Sequence, residues 1–360
     1  MPYISVLIKP ASSACNQSCR YCFYKDASAR RSIPDRGIMT AETAEAVIRR
    51  AFEFAEGGVR FAFQGGEPLL AGLPFFEYFV SLAEGYRRSG LEIHYSLQTN
   101  GLLLDESWAA FLKKHDFLVG VSLDGTQELT DALRGKGAYA GAVRAISQLR
   151  KRGVEHNVLS VVSDASADRA AEIYRHFAEL GIEYAQFIPC LPTKSKKGCS
   201  AAGWGRFLTD LFGEWVHSPG SGRSVGILYF DELFARLNGR PAGRCGMNGY
   251  CSIQNVIEAD GTVYPCDFYC TDDDALGNIR EMSLKELFEC ERAQTFLRRS
   301  FATEEECKKC PYYRLCRGGC FYERESGKNR YCVGYRIFFQ YLSEFLKQQI
   351  DPDRLDPGAL

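Results

Sequence analysis

Cys15, Cys19 and Cys22 stand near the N-terminus in the spacing C-x3-C-x2-C. Thiolates so spaced can wrap one corner of a cubane iron–sulfur cluster. A [4Fe–4S] cluster takes four ligands, so three leave one iron open to an exogenous ligand, the arrangement of a catalytic metal site. Zinc would need a fourth partner, and no His or Cys follows nearby.

A second thiol group is C-terminal. Cys251 and Cys266 flank Gly261; Cys307, Cys310, Cys316, Cys320 and Cys332 follow, and Cys245 precedes them all. Eight thiolates complete two [4Fe–4S] clusters with no open iron, which suits electron transfer rather than substrate ligation. A zinc-ribbon-like fold could use the same thiols, but the triplet upstream points to iron. Spacing pairs Cys307 with Cys310 without deciding which cluster takes Cys320. Cys190, Cys199, Cys270 and Cys290 are left over and read as small buried hydrophobes.

Fifteen cysteines, an odd number, occur with no basic-then-apolar secretory start. In a reducing cytosol such thiols are metal ligands or redox groups rather than disulfides. The 44 basic and 45 acidic residues leave a net charge of −1, no electrostatic reason to expect nucleic acid or an anionic membrane. No stretch approaches the ~18 apolar residues of a membrane span. A soluble cytoplasmic protein is expected.

The elements that must position these residues alternate. Strands are predicted at 5–9, 59–64, 92–99, 118–123, 156–162 and 184–188, and helices at 41–56, 75–89, 106–114, 140–152, 168–180 and 204–217. Six β-then-α units imply an α/β fold with a parallel sheet and right-handed crossovers. Six are too few for a closed eight-stranded barrel, so an open partial (β/α)6 barrel is expected. Ligands of parallel sheets sit at the carboxyl ends of the strands. The triplet, Gly65-Gly66-Glu67-Pro68, Gln98-Thr99-Asn100-Gly101 and 122–125 all fall there. Residues 1–220 are read as one domain and 221–360 as a cysteine-rich second, divided by a loop at Pro219-Gly220-Ser221-Gly222. The second is expected to hold a hairpin turning at Asp260-Gly261, a short helix capped by Ser283, and a final amphipathic helix at 334–349. A region so poor in regular structure suits stabilisation by metal.

The triplet, with an aromatic residue before Cys22, resembles the signature of the radical S-adenosylmethionine superfamily. There the open iron binds the cofactor's amino and carboxylate groups, and reductive cleavage gives a 5′-deoxyadenosyl radical. Gly65-Gly66-Glu67 is similar to the family's GGE segment, which meets the methionine amino group. The resemblance likewise assigns Tyr21, Ser122, Arg134 and Leu191 to S-adenosylmethionine. The C-terminal cysteines resemble the SPASM extension of peptide-modifying radical enzymes. That family's arrangement gives Cys245, Cys251, Cys266 and Cys320 to a nearer auxiliary cluster, and Cys307, Cys310, Cys316 and Cys332 to an outer one. Three [4Fe–4S] clusters are thereby implied.

Leu7-Ile8-Lys9-Pro10-Ala11-Ser12-Ser13, Cys22-Phe23-Tyr24, Phe63-Gln64-Gly65-Gly66-Glu67-Pro68, Ser96–Gly101, Cys245–Gly249 and Tyr264–Tyr269 together resemble the anaerobic sulfatase-maturating enzymes. These oxidise a cysteine or serine side chain of a sulfatase polypeptide to Cα-formylglycine. The resemblance implies an unfolded or nascent sulfatase chain as partner, a flavodoxin- or ferredoxin-type electron donor, and a monomer. The reaction needs a base beside an electron acceptor. Asp267, next to Cys266, matches the family's base, and Tyr24 and Gln64 are candidate peptide contacts. A rival is a SPASM maturase forming thioether or carbon–carbon crosslinks. Such enzymes often carry an N-terminal leader-recognition domain, for which a triplet beginning at residue 15 leaves no room. A non-catalytic zinc or iron scaffold is the remoter alternative, and the open-iron triplet argues against it.

Overall fold

The structure, a computed structural model, describes residues 3–193, 197–218 and 224–349. The loop and domain boundary expected around residue 220 lie outside the described residues. The strands are β1 (Tyr3–Ile8), β2 (Gly58–Phe63), β3 (Glu92–Thr99), β4 (Leu118–Ser122), β5 (His156–Val162), β6 (Tyr184–Pro189), β7 (Gly226–Ile227), β8 (Val256–Ile257), β9 (Thr262–Tyr264) and β10 (Gly277–Asn278). The six long strands predicted from sequence form within a few residues of their expected bounds. Their helices follow at Ala41–Phe54, Leu73–Gly85, Glu106–Lys114, Ala138–Arg152, Ala170–Glu179 and Ala201–His217. Helices at Phe23–Ser28, Gln127–Arg134 and Leu228–Leu237 were not anticipated.

The chain divides into two compact units. The first takes residues up to Leu123, Thr130–Val158 and Ser252–Leu297; the second takes Asp124–Leu129, Leu159–Cys251 and residues from Arg298 onward.

In the first unit β1, β2, β3 and β4 pair in parallel in that order. Alternation along β2 turns Val59, Phe61 and Phe63 into the core, where Phe61 and Phe63 each meet the Phe79 ring edge-on at 5.1 Å. Burying a phenylalanine is worth roughly 1.5–3 kcal/mol, so these rings fix the helix Leu73–Gly85 on the sheet. The C-terminal hairpin forms as expected, with Val256 opposite Tyr264 and Ile257 opposite Val263. Its place is a finding of the structure: β8 adds in parallel to the edge of β1, at Leu7↔Val256 and Ile8↔Ile257. Ser283 caps the helix Leu284–Glu289 through a reciprocal pair with Glu286.

In the second unit the helix Ala201–His217 lies against the final helix Cys332–Gln349. Phe212 is its centre, touching the rings of Phe230, Phe338 and Phe345 at 5.3–5.9 Å. The last helix begins two residues earlier than the sequence suggested, so Cys332 stands at its start.

Candidate active site and cluster-binding thiols

The chain leaves β1 at Lys9 and turns sharply through Ser12, whose φ is +48°. This turn delivers Cys15, Cys19 and Cys22 to a partly exposed loop at the carboxyl end of β1. Gln17 N donates to Cys15 Sγ at 3.4 Å, Cys19 Sγ approaches Gln17 Oε1 at 3.6 Å, and Cys22 N donates to Cys19 O. Asn100, after β3, reaches the same loop, donating to Asn16 Oδ1 at 2.7 Å and to Cys15 Sγ at 3.8 Å. Burial, opposed by these donors, still raises the Cys15 thiol.

The glycine pair after β2 is explained by close packing. A Cβ on Gly66, at φ +54°, would fall 2.3 Å from Ala14 O, so only glycine lets this segment lie against the cysteine loop. Glu67 N then donates to Ala14 O at 2.8 Å. The Glu67 carboxylate is buried and accepts from Thr99 Oγ1 at 2.8 Å, Asn100 N at 2.8 Å and Leu69 N at 3.1 Å. Burial outweighs these donors and pushes Glu67 up to about 7. Arg134 lies over the Tyr21 ring at 5.4 Å, while Arg20 N donates to Leu133 O, so Arg134 is held against the triplet within which Tyr21 stands. Ser122 accepts from Gln98 Nε2 at 3.1 Å. Leu191, two residues past β6, belongs to the second unit.

Asp267 follows the hairpin and is 7% exposed. Its Oδ2 accepts from Tyr24 OH at 2.5 Å and from Gln64 Nε2 at 3.1 Å. Gln64 Nε2 also meets the Tyr24 hydroxyl at 2.6 Å. Burial first, and then Asp267, holds the Tyr24 phenol well above its ordinary range, so it donates. The Lys9 ammonium stands 3.1 Å from Asp267 Oδ1. These residues meet at the carboxyl ends of β1 and β2. Asp267, Tyr24 and Gln64 were expected at this rim from sequence; Lys9, quoted there only within the run Leu7–Ser13, was given no role.

Seven of the remaining thiols form two sets within the second unit. Cys307, Cys310, Cys316 and Cys332 line one cavity of about 230 Å³. Burial, reinforced by Cys332, Cys307 and Cys310, pushes Cys316 up to about 12. Burial, then Glu323, then Cys245 and Cys251, raises the Cys320 thiol. Cys266, buried, belongs to the first unit. No cysteine is in a disulfide. Among the described residues no three His, Cys, Asp or Glu side chains converge tightly enough to grip a single bare ion. The donor sets, one three-thiol loop and thiols lining a common cavity, fit the larger cubanes that the spacing predicted.

The radical SAM superfamily profile matches residues 10–176, and an iron–sulfur cluster-binding SPASM profile matches residues 245–311. The cysteine-type anaerobic sulfatase-maturating enzyme of Clostridium perfringens (strain 13 / Type A) is 44% identical over 357 residues, 95% of this chain and 96% of that protein. This chain belongs to the anaerobic sulfatase-maturating enzymes. The serine-type member of Klebsiella pneumoniae is 33% identical, covering 93% of this chain and 86% of its own. Among solved structures, native anSMEcpe with bound AdoMet and Cp18Cys peptide superposes with a TM-score of 0.90 at 42% identity, over 96% of this chain and 98% of that one. Streptococcus suis SuiB bound to precursor peptide SuiA, at 18% identity, a TM-score of 0.65, and coverage of 90% of this chain and 74% of its own, shares the fold alone. The α/β radical SAM fold with a SPASM extension, expected from the repeating strands and the cysteine spacing, is thus the fold of this enzyme. No described helix is long and apolar enough to cross a membrane.

Proposed function

We propose that this enzyme oxidises a cysteine side chain in a sulfatase polypeptide to Cα-formylglycine, with Asp267 as the base. The observation that carries the reading is the Asp267 carboxylate, buried beside a candidate cluster ligand and at the carboxyl ends of β1 and β2. Its Oδ2 accepts from Tyr24 and Gln64, while its Oδ1 is paired with the Lys9 ammonium. When bound, S-adenosylmethionine and the clusters supply the radical that takes a hydrogen atom from the target Cβ and the acceptor for one electron. Asp267 takes the thiol proton from a peptide lying over the strand ends. One hydrogen atom, one proton and one electron together leave a thioaldehyde, which water converts to the aldehyde with release of hydrogen sulfide. Tyr24 and Gln64 hold the carboxylate and line the approach of the peptide.

Cys15, Cys19 and Cys22 would hold the radical-forming cluster. Tyr21, Gly65, Gly66, Glu67, Ser122, Arg134 and Leu191 would surround S-adenosylmethionine. Cys245, Cys251, Cys266 and Cys320 would hold the nearer auxiliary cluster, and Cys307, Cys310, Cys316 and Cys332 the outer one. Residues 1–220 and 221–360 would act as two domains in a cytoplasmic monomer reduced by a flavodoxin- or ferredoxin-type donor. The greater identity to a cysteine-type relative than to a serine-type one favours a cysteine target. The test is anaerobic incubation of the reconstituted enzyme with peptides carrying C-x-P-x-R or S-x-P-x-R. Aldehyde formed faster from the cysteine peptide supports the proposal. Aldehyde from neither, with S-adenosylmethionine still cleaved, would overturn it.

A further inference from the structure

Lys9 is a whole charged side chain taken out of water, 1% exposed, on the first residue after β1. Its backbone N donates to Ile257 O at 2.8 Å, which ties it to the hairpin that carries Asp267. The stem needs space that a neighbour gives up. A Cβ on Gly65 would stand 2.7 Å from Lys9 Cγ and 2.8 Å from Cδ, so the first glycine of the pair after β2 is required by this lysine.

The ammonium has four neighbours: Asp267 Oδ1 at 3.1 Å, Cys270 Sγ at 3.3 Å, Glu258 Oε1 at 3.8 Å, and the Tyr24 ring, whose centre lies 4.8 Å away. Glu258 has a closer cation, Arg31 Nη1 at 2.6 Å, and Arg31 Nε also donates to Cys270 O. Burial pushes the Cys270 thiol up to about 11, so it is neutral and a weak partner. Two buried cations thus face two buried carboxylates, and the division leaves Lys9 to Asp267. Burial works against the lysine's charge, but the Asp267 carboxylate, with Glu258, outweighs it and keeps the group protonated.

We propose that Lys9 is a positioning residue for the reaction, holding the Asp267 carboxylate in a single orientation by pairing with its buried Oδ1. The inference rests on the reading of Asp267 as the base. Tyr24 and Gln64 fix Oδ2, but two donors on one oxygen leave the carboxylate plane free to turn about them. An ammonium 3.1 Å from the other oxygen removes that freedom. It also offsets the charge of a carboxylate that would otherwise be buried without a cation, a costly state.

The experiment is a double-mutant cycle in the reconstituted holoenzyme, using Lys9→Met, Asp267→Asn and the pair, with a cysteine peptide as substrate. Lys9→Met keeps the stem and removes the charge. Its kcat for aldehyde formation is expected to fall at least tenfold while the peptide KM changes less than about threefold. 5′-Deoxyadenosine per aldehyde should rise, because hydrogen abstraction persists while the proton step fails. Added to Asp267→Asn, it should cost nothing further.

If Lys9→Met forms aldehyde at the wild-type rate, or lowers S-adenosylmethionine cleavage in step with it, Lys9 does not act through Asp267. The same follows if it deepens the loss in the Asp267→Asn background. Should Lys9→Met fail to fold, the double variant, with no buried carboxylate left unpaired, is expected to load iron and match Asp267→Asn. Failure of the double variant to fold would make Lys9 a structural residue and overturn the proposal. Normal turnover by Asp267→Asn alone would instead sink the base assignment, whatever Lys9 does.

Discussion

The Tyr24 hydroxyl donates to Asp267 Oδ2 at 2.5 Å across 243 residues of sequence. Tyr24 sits two residues past the last cysteine of the triplet, and Asp267 sits one residue past Cys266. Their contact joins the loop that would hold the radical cluster to the segment that would remove the proton. Tyr24→Phe deletes one of the two donors on Oδ2 and leaves Gln64 in place. A hydrogen bond to a charged group is worth about 1.5–3 kcal/mol. Aldehyde formation should therefore slow by about tenfold or more, with S-adenosylmethionine cleavage kept. Quantifying 5′-deoxyadenosine and aldehyde in the same reaction checks this.

Gly66→Ala tests the packing of the cysteine loop. The added methyl would stand 2.3 Å from Ala14 O on a backbone with φ +54°, so the loop must move. The variant should lose the triplet-held cluster and keep the auxiliary pair, giving about eight irons per chain against about twelve. Iron analysis with S-adenosylmethionine binding reads this directly.

Cys310→Ala removes one lining thiol of the cavity shared with Cys307, Cys316 and Cys332. Iron should again fall from about twelve toward about eight per chain, now with S-adenosylmethionine cleavage retained. Retention of all the iron would assign Cys310 no ligand role.

Glu67 predicts a pH dependence. Its folded value of about 7 lies above the ordinary carboxylate range because of burial. The folded state therefore holds a proton that the unfolded state has lost between about pH 4.5 and 7, and stability falls as pH rises through that window. The loss levels off above pH 7 and is on the order of 3 kcal/mol. In the metal-free chain, Glu67→Gln should escape this loss, so its advantage over the parent should grow from pH 5 to 8. Parallel melting curves across that range would refute the assignment.

Much of this could be read from the residues. Alternation in 59–64 and the helical period of 41–56 are local, and each element formed where its period ran. The cysteine spacings marked the three-thiol loop and the C-terminal thiols, while the division of those thiols between two clusters came from the family resemblance. The hairpin turn was marked by Asp260-Gly261, but the pairing of β8 with β1 was not, because a two-residue strand has no period and parallel partners carry no local signal. That pairing brings Asp267 to Lys9, so the lysine's role was hidden with it. A charge ending an apolar strand reads as solvent-facing until the fold covers it. The helices Phe23–Ser28 and Gln127–Arg134 span eight residues or fewer, too short for a period to separate them from loop.

The central claim is that Asp267 removes the proton after hydrogen abstraction. Its most direct test is Asp267→Asn in the fully iron-loaded enzyme, with the cysteine peptide followed by mass spectrometry and 5′-deoxyadenosine counted alongside. Continued S-adenosylmethionine cleavage with the peptide left at its starting mass is expected. Conversion of the peptide to aldehyde at the wild-type rate would contradict it.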